Sequence, residues 1–529
     1  MKQDNRRCHS GFLSGIKYHF LEKFNSHLTL DLNESCRYPF FPLNTTFNTK
    51  RKIAKIGFFS TIFVLNSFNV ANAAISSTTS HTIQGTKPQF FANETTINKL
   101  GFNYKGNDYS ELKGNITSDK TKYFDENTKL SDFVIKSFFT PRTSKDDLNG
   151  DYFDFDGDAF DPTTPITSTL IPIWKDSDGH IISENDYDNA ICNPKYTMPL
   201  QLEITARDIK VKTTYGDPNE SDPVSSITIS SQEKPITKTY KIMIAKACFA
   251  KPNATILDPN TQWRSVDETG IDDQWNLTGA GFNGIEKDKP NPEVGGGHTD
   301  DYVINQGFKV KPTVSRKHFP TTGFLGAQFQ LVMSGKQEDY TFTTNNSLVE
   351  VDADGIVTLK GPVKDVTITA TLKSDHNFHD NYNFTLDLWV EPQPGYVADQ
   401  EQASLKCTSP MKLLERKDLN SASSFARDNL DSYQGRVYNV FTRGIGLGVF
   451  GEWGRTLKAE HYGLSPTYPK SNWDYAWYFT SESHQTTDIN QKPTTEEGIV
   501  VSNHDGMISF PSAWGRYEIK RAVCGKKIY

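Results

Sequence analysis

The residue pattern predicts a mostly β chain, in which tandem β-sandwiches are followed by an α+β C-terminal domain. Three observations carry that reading. From about residue 126 to 392, short apolar runs alternate with polar positions and are separated by Asp, Asn, Gly and Pro turns. Aromatic residues make up 12% of the chain, with 34 Phe and 22 Tyr against six Met, which suits half-buried strands better than amphipathic helices. After Glu391-Pro392-Gln393-Pro394-Gly395 the spacing becomes helix-like. At 529 residues the chain exceeds one hydrophobic core, so about three or four domains are expected.

Residues 1–73 read as a leader. Lys50-Arg51-Lys52 and Lys55 precede the apolar run 56–65, which leads to Val70-Ala71-Asn72-Ala73. That is the charged, apolar, small-x-small order of a secretory signal peptide, with cleavage expected after Ala73. No later run is long and apolar enough for a transmembrane helix, so the mature chain is expected to lack one. The formal net charge is −7 although residues 1–73 hold ten Lys/Arg against four Asp/Glu, so residues 74–529 carry the acidic excess. An acidic surface without a basic stripe argues against nucleic acid as partner.

Residues 74–125, rich in Thr, Ser, Asn and Lys, read as a linker or extended arm. Residues 126–252 read as a first sandwich, on runs such as Leu170-Ile171-Pro172-Ile173-Trp174, Leu200-Gln201-Leu202-Glu203-Ile204 and Tyr240-Lys241-Ile242-Met243-Ile244. Residues 253–304, with Gly295-Gly296-Gly297 and few strand patterns, read as an irregular connection. Residues 305–392 form a second sandwich, in which Val349-Glu350-Val351 and Ile356-Val357-Thr358-Leu359 flank an Asp354-Gly355 hairpin turn. Residues 393–529 form the last domain. Leu419, Ala422, Phe425, Ala426, Leu430 and Tyr433 predict a helix over 418–433, a second helix is expected over 445–458, and strands near 475–480, 498–501 and 517–524.

Beyond the leader, with its Cys8 and Cys36, four cysteines remain: Cys192, Cys248, Cys407 and Cys524. An even number in an exported chain points to two disulfides, and four cysteines allow three connectivities. The sequential pairs are preferred, because Cys192 and Cys248 fall in one strand-rich region while Cys407 and Cys524 bracket the last domain.

The ion-site candidate is Asp154-Phe155-Asp156-Gly157-Asp158, flanked by Asp151 and Asp161. Alternating carboxylates beside a Gly turn suit calcium, although the EF-hand's terminal Glu is missing and a solvated acidic hairpin competes with this reading. Asp176-Ser177-Asp178-Gly179 reads as an ordinary turn, and His376 and His379 beside Asp375 and Asp380 as an exposed loop. Glycines 295–297 do not join a strand to a helix, so they predict no phosphate loop. With no G-x-S-x-G and no H-E-x-x-H, no catalytic residue and no cofactor other than calcium is expected, and the chain reads as non-enzymatic. Trp473, Tyr475, Trp477, Trp514 and Arg516 cluster near loop-like stretches, where exposed aromatic and Arg side chains anchor partners. The competing reading makes several of these tryptophans core residues.

Tyr340-Thr341-Phe342, the turn Val351-Asp352-Ala353-Asp354-Gly355-Ile356-Val357 and Val366-Thr367-Ile368-Thr369-Ala370 together resemble a bacterial Ig-like domain of the invasin/intimin group. Phe319-Pro320-Thr321-Thr322-Gly323-Phe324-Leu325-Gly326-Ala327 is more specific, and resembles the Ig-like adhesion unit of invasin-E-type proteins and Zir-type secreted exoproteins. Gly451-Glu452-Trp453-Gly454, Tyr478-Phe479-Thr480-Ser481-Glu482 and Val523-Cys524 resemble the C-type-lectin-like end of those proteins, with Phe479 where the family usually has Trp. The resemblance covers roughly 300–529 well. Over 126–252 it is looser, resting on 214–218 and 248–253.

The resemblance implies Ig-like sandwiches before a C-type-lectin-like domain, and binding rather than turnover. It implies a secreted or surface-associated adhesin of a Gram-negative bacterium whose partner is a host or bacterial surface protein. Intimins and invasins carry their own outer-membrane β-barrel. No barrel-length strand array stands here, so the exoprotein likeness implies a separate barrel protein as export partner. A secreted carbohydrate-binding module is the alternative. It is disfavoured because Glu391-Pro392-Gln393 lies outside the lectin-like domain, which lacks the Glu-Pro-Asn and Gln-Pro-Asp triplets of calcium-dependent lectins.

Overall fold

The computed structural model describes residues 85–259, 295–422, 441–461, 463–487, 493–511 and 519–529. The leader and most of the helix expected over 418–433 lie outside them. The described residues form one compact unit.

The first sandwich is built on three long strands. Leu200–Val211 pairs antiparallel with both Ile166–Lys175 and Gln232–Ile244, so that Leu202 faces Trp174 on one side and Tyr240 on the other. Along Leu200–Val211 the first residues alternate between buried and half-buried, as a sheet with one face on a core requires. Thr121–Phe124 adds in parallel to Gln232–Ile244. Opposite lies a small sheet of Leu100–Tyr104 between Asn107–Ser110 and Val134–Ser137. Phe102 meets Phe133 and Tyr240 edge-on at 5.1 and 6.0 Å, and the Tyr240 hydroxyl donates to the Leu100 carbonyl at 2.7 Å.

Residues 85–125 are therefore part of this core, not an arm. Leu100, Phe102, Tyr104, Ile116 and Phe124 are all buried in it. Their polar neighbours dominate the composition, but the period-2 placement of Leu100, Phe102 and Tyr104 puts all three on the inner face.

One core gives way to the next between Ile244 and Ala245. Ala247–Pro252 pairs with Gln328–Met333 in a six-stranded sheet, so the second sandwich begins before the region read as a connection. Tyr302–Val303 and Gly307–Lys309 extend the same sheet, while residues 260–294 lie outside the described residues. The facing sheet is Tyr340–Thr344, Asp365–Leu372 and His379–Thr385, and Val366, Ile368, Ala370 and Leu372 point inward at every second position. Asp352 Oδ1 closes the expected hairpin turn by accepting from the backbone N–H groups of Asp354 and Ile356 at 3.0 and 2.8 Å.

The C-terminal region shares its sheet and core with the second sandwich. Thr322–Phe324 runs parallel to Leu388–Pro392, which pairs with the last strand Lys520–Lys527, and Trp477–Thr487, Pro493–Ser502 and Ile508–Ser509 continue outward. The short helices Gln400–Leu405, Arg416–Leu419 and Gly448–Trp453 make the region α+β. Helix geometry ends at Asn420, which is extended, so the expected helix does not run on through Ala422. The helix expected over 445–458 is confined to six residues.

Both sequential disulfides form, Cys192–Cys248 and Cys407–Cys524. Cys192 belongs to the first sandwich and Cys248 to the sheet of the second, so that bond staples two cores together rather than closing one.

Candidate functional site

Two motifs some 130 residues apart position the C-terminal face. Glu452 is fully buried, and its carboxylate accepts from the N–H and hydroxyl of Thr321 at 2.9 and 2.7 Å, from those of Thr322 at 2.8 and 2.6 Å, and from the Gly446 N–H at 2.9 Å. Burial pushes this carboxyl above its usual range, and the donors of Thr322, Gly446 and Thr321 oppose that rise. Next to it the Trp453 Nε1–H donates to the Thr322 carbonyl at 3.0 Å, and its ring lies 4.8 Å from Phe319. The helix Gly448–Trp453 reaches this place because Gly448, at φ +81°, lets the backbone approach residues 417–419. A Cβ there would sit 2.8 Å from the Leu419 carbonyl.

The aromatic residues singled out from the sequence divide. Trp473 and Trp477 are buried, with Trp473 edge-on to Phe450, Tyr478 and Phe324 at 5.5, 4.9 and 5.9 Å. They are core side chains here, not exposed anchors: Trp477 opens the strand Trp477–Thr487, and both rings pack into the shared core. Trp514 and Arg516 lie outside the described residues. Tyr475 is half-buried, and its ring stacks on His461 at 3.7 Å and lies 4.9 Å from His504. Asp474 beside it pairs with Lys458 at 2.6 Å and with Arg521 at 3.0 Å. The result is a patch of one tyrosine, two imidazoles and a mixed-charge rim. Asn503 holds it in place, accepting from the Ala476 N–H at 3.1 Å and donating to the Thr456 carbonyl at 2.8 Å. Sequence reading missed His461, His504, Lys458 and Arg521, since no local pattern joins residues so far apart.

Among the acidic candidates, Asp154, Asp156 and Asp158 do converge, each placing one ligand oxygen within 4.8 Å of the others. Their flanking partners do other work. Asp151 is buried against Lys99 at 2.8 Å, and Asp161 accepts from the Thr163 and Thr164 N–H groups at 2.8 and 3.0 Å. Asp176 is a turn anchor, accepting from the Asp178 and His180 N–H groups at 3.0 and 2.8 Å and from the Thr197 N–H at 3.3 Å. A cavity of about 310 Å³ lies where the two sandwiches meet, lined by Tyr123, Met198, Met243 and Asp339, with the Tyr123 hydroxyl bonded to the Asp339 carboxylate.

Comparison with known families places one of these units. Residues 305–384 match the family model described as invasin, domain 4. The match assigns that stretch, and no more of the chain, to the invasin type of Ig-like domain. Solved structures of invasin and intimin match at low identity and low TM-score. Invasin, described as a bacterial integrin-binding protein, is 15% identical over 72% of this chain and 54% of its own, with a TM-score of 0.33. This chain thus spans about half the length of that invasin. An intimin mutant from EHEC O157:H7 is 18% identical over 40% of this chain and 89% of its own, with a TM-score of 0.21. A C-terminal 282-residue intimin fragment, solved with the intimin-binding domain of the translocated intimin receptor, is 14% identical over 68% and 86%, with a TM-score of 0.24. No curated protein gives a significant match.

Proposed function

We propose that this chain is a secreted or surface-associated adhesin that binds a host or bacterial surface protein through its C-terminal Ig-like and lectin-like domains. The observation that carries this reading is the invasin domain 4 at residues 305–384, continuous in sheet and core with the C-terminal domain. A receptor-binding tip needs a rigid mount, and a shared core supplies one. The patch around Tyr475 has the composition of a binding surface, an aromatic centre with a charged rim. Trp514 and Arg516, outside the described residues, remain candidates for contacts on residue type alone. Invasin is described as integrin-binding and an intimin fragment was solved with its receptor; a cell-surface protein is the partner class we assign here.

Export is supported by the leader pattern over 50–73 and by two disulfides, which persist in oxidising compartments. No helix among the described residues is long and apolar enough to cross a membrane. We assign passage across the outer membrane to a separate β-barrel partner, and activity to binding without turnover.

The test uses labelled, oxidised residues 74–529 on host cells and on the producing bacterium. Saturable binding to either surface is expected. Tyr475→Ala should weaken it about tenfold or more, as loss of a central anchor does, while far-UV circular dichroism shows the chain still folded. Absence of saturable binding to both surfaces would refute the adhesin reading. Binding unaffected by Tyr475→Ala, Trp514→Ala and Arg516→Ala would remove the C-terminal patch as its site.

A further inference from the structure

We propose that Asp154, Asp156 and Asp158 form a calcium site that ties the segment at Gly85 and Thr86 to the first sandwich. The cluster alone would be an acidic turn. What lifts it above that is Asp154, whose residue exposure is only 4%. Its Oδ1 accepts from the Asp156 and Asp158 N–H groups at 2.9 and 3.0 Å, while its Oδ2 is buried and has no hydrogen-bond partner. A buried carboxylate oxygen without a partner is costly, and native proteins give such an atom a donor, a water or a cation.

Charge points to the cation. Three carboxylates converge here, and among the described residues no Lys or Arg forms an ion pair with any of them. The spacing fits a large ion. Oxygens on opposite sides of calcium stand about 4.6–5.2 Å apart, twice the usual 2.3–2.6 Å contact, so atoms all within 4.8 Å of one another can share one coordination sphere. An all-oxygen ligand set selects a hard cation over zinc or copper.

Two other segments close on the cluster. Thr86 donates through its N–H and, at 2.8 Å, its hydroxyl to Asp156 Oδ2. Gly85 approaches so closely that a Cβ there would lie 2.8 Å from Asp156 Oδ2, and one at Gly216 would lie 3.1 Å from Asp158 Oδ2. Backbone carbonyls and water would complete the shell, since calcium takes six to eight oxygens. The bound ion would then hold together residues 85–86, the 154–158 turn and the loop at Gly216.

Calcium chloride titrated calorimetrically into metal-stripped residues 74–529 tests this directly. One ion per chain is expected, with a dissociation constant of order 10⁻⁴–10⁻³ M or tighter, as in extracellular modules, and a higher unfolding temperature in calcium than in EDTA. Asp154→Asn keeps the Oδ1 acceptor of the turn and should abolish binding. Asp156→Asn, at an exposed position, should weaken binding at least tenfold without unfolding the protein. Asp176→Asn, in the other acidic turn, should bind as the parent does. Failure of the parent to bind calcium at millimolar concentration would overturn the proposal, and so would unchanged affinity in both Asp154→Asn and Asp156→Asn.

Discussion

Replacing Glu452 by alanine removes the acceptor of three backbone N–H groups, those of Thr321, Thr322 and Gly446, and of two threonine hydroxyls. The hydroxyls can rotate to new partners, but the backbone donors cannot. Each buried donor left without an acceptor costs about 1–3 kcal/mol, and water entering the vacated volume offsets part of the total. A net loss of about 3–5 kcal/mol is expected, within the range for breaking a buried charged network. Glu452→Gln separates charge from shape. The amide keeps one acceptor but turns an NH₂ toward N–H donors, so a loss of about 2–4 kcal/mol is expected. Urea unfolding under non-reducing conditions, followed by tryptophan fluorescence and by far-UV circular dichroism, measures both. Fluorescence reports the buried tryptophans of both cores, Trp453 beside Glu452 among them, and coincidence of the two signals checks that the transition is a single one. A loss below about 1 kcal/mol in Glu452→Ala would refute the claim that this carboxylate locks the two motifs together. A glutamine variant as stable as the parent would show that the site needs the shape of the side chain and not its negative charge.

Two further outcomes follow from the same reasoning. Burial raises the Asp176 carboxyl, but donation from the His180 side chain and from the backbone of His180 and Thr197 outweighs this and brings it down to about 2. Its folded value is thus depressed, so its stabilising contribution is present above the unfolded value near 3.8 and is lost as pH falls through about 2. The stability difference between parent and Asp176→Asn should shrink across that window, and a difference constant with pH would contradict the assignment. Replacing Cys192 and Cys248 together by serine opens a closure of 56 residues and should cost up to roughly 4 kcal/mol in urea unfolding. Because this bond joins two cores, unfolding of the first sandwich should also separate from that of the rest; one unchanged transition would argue against a stapling role.

Much of the fold was legible in local pattern. The strand Asp365–Leu372 alternates cleanly, and its register follows from that alternation. The Asp352–Gly355 turn carries its own side-chain acceptor, so it too is encoded within a few residues. The sequential cysteine pairs preferred along the chain do form, although Cys192–Cys248 joins two cores instead of closing one region, and the three acidic residues at 154–158 do converge. The motifs at 319–327 and 451–454 were recognisable as strings, but not as contacts of each other.

What sequence alone determined about this protein is therefore its class and its punctuation: mostly β, four cysteines beyond residue 73 in sequential pairs, and turns where Asp and Gly demand them. The tertiary structure decided the boundaries and the burial. It drew residues 85–125 into the first core, moved the change of core to Ile244–Ala245, and joined the second sandwich to residues 393–529 through Thr322–Phe324, Leu388–Pro392 and Lys520–Lys527. It also buried Trp473 and Trp477 and left Tyr475 beside two distant histidines. Turn chemistry and period-2 alternation depend on neighbours in the chain, so they can be read along it. Which strands pair, and which aromatic side chains they cover, depends on contacts between residues from tens to more than a hundred positions apart, whose energies no local pattern records.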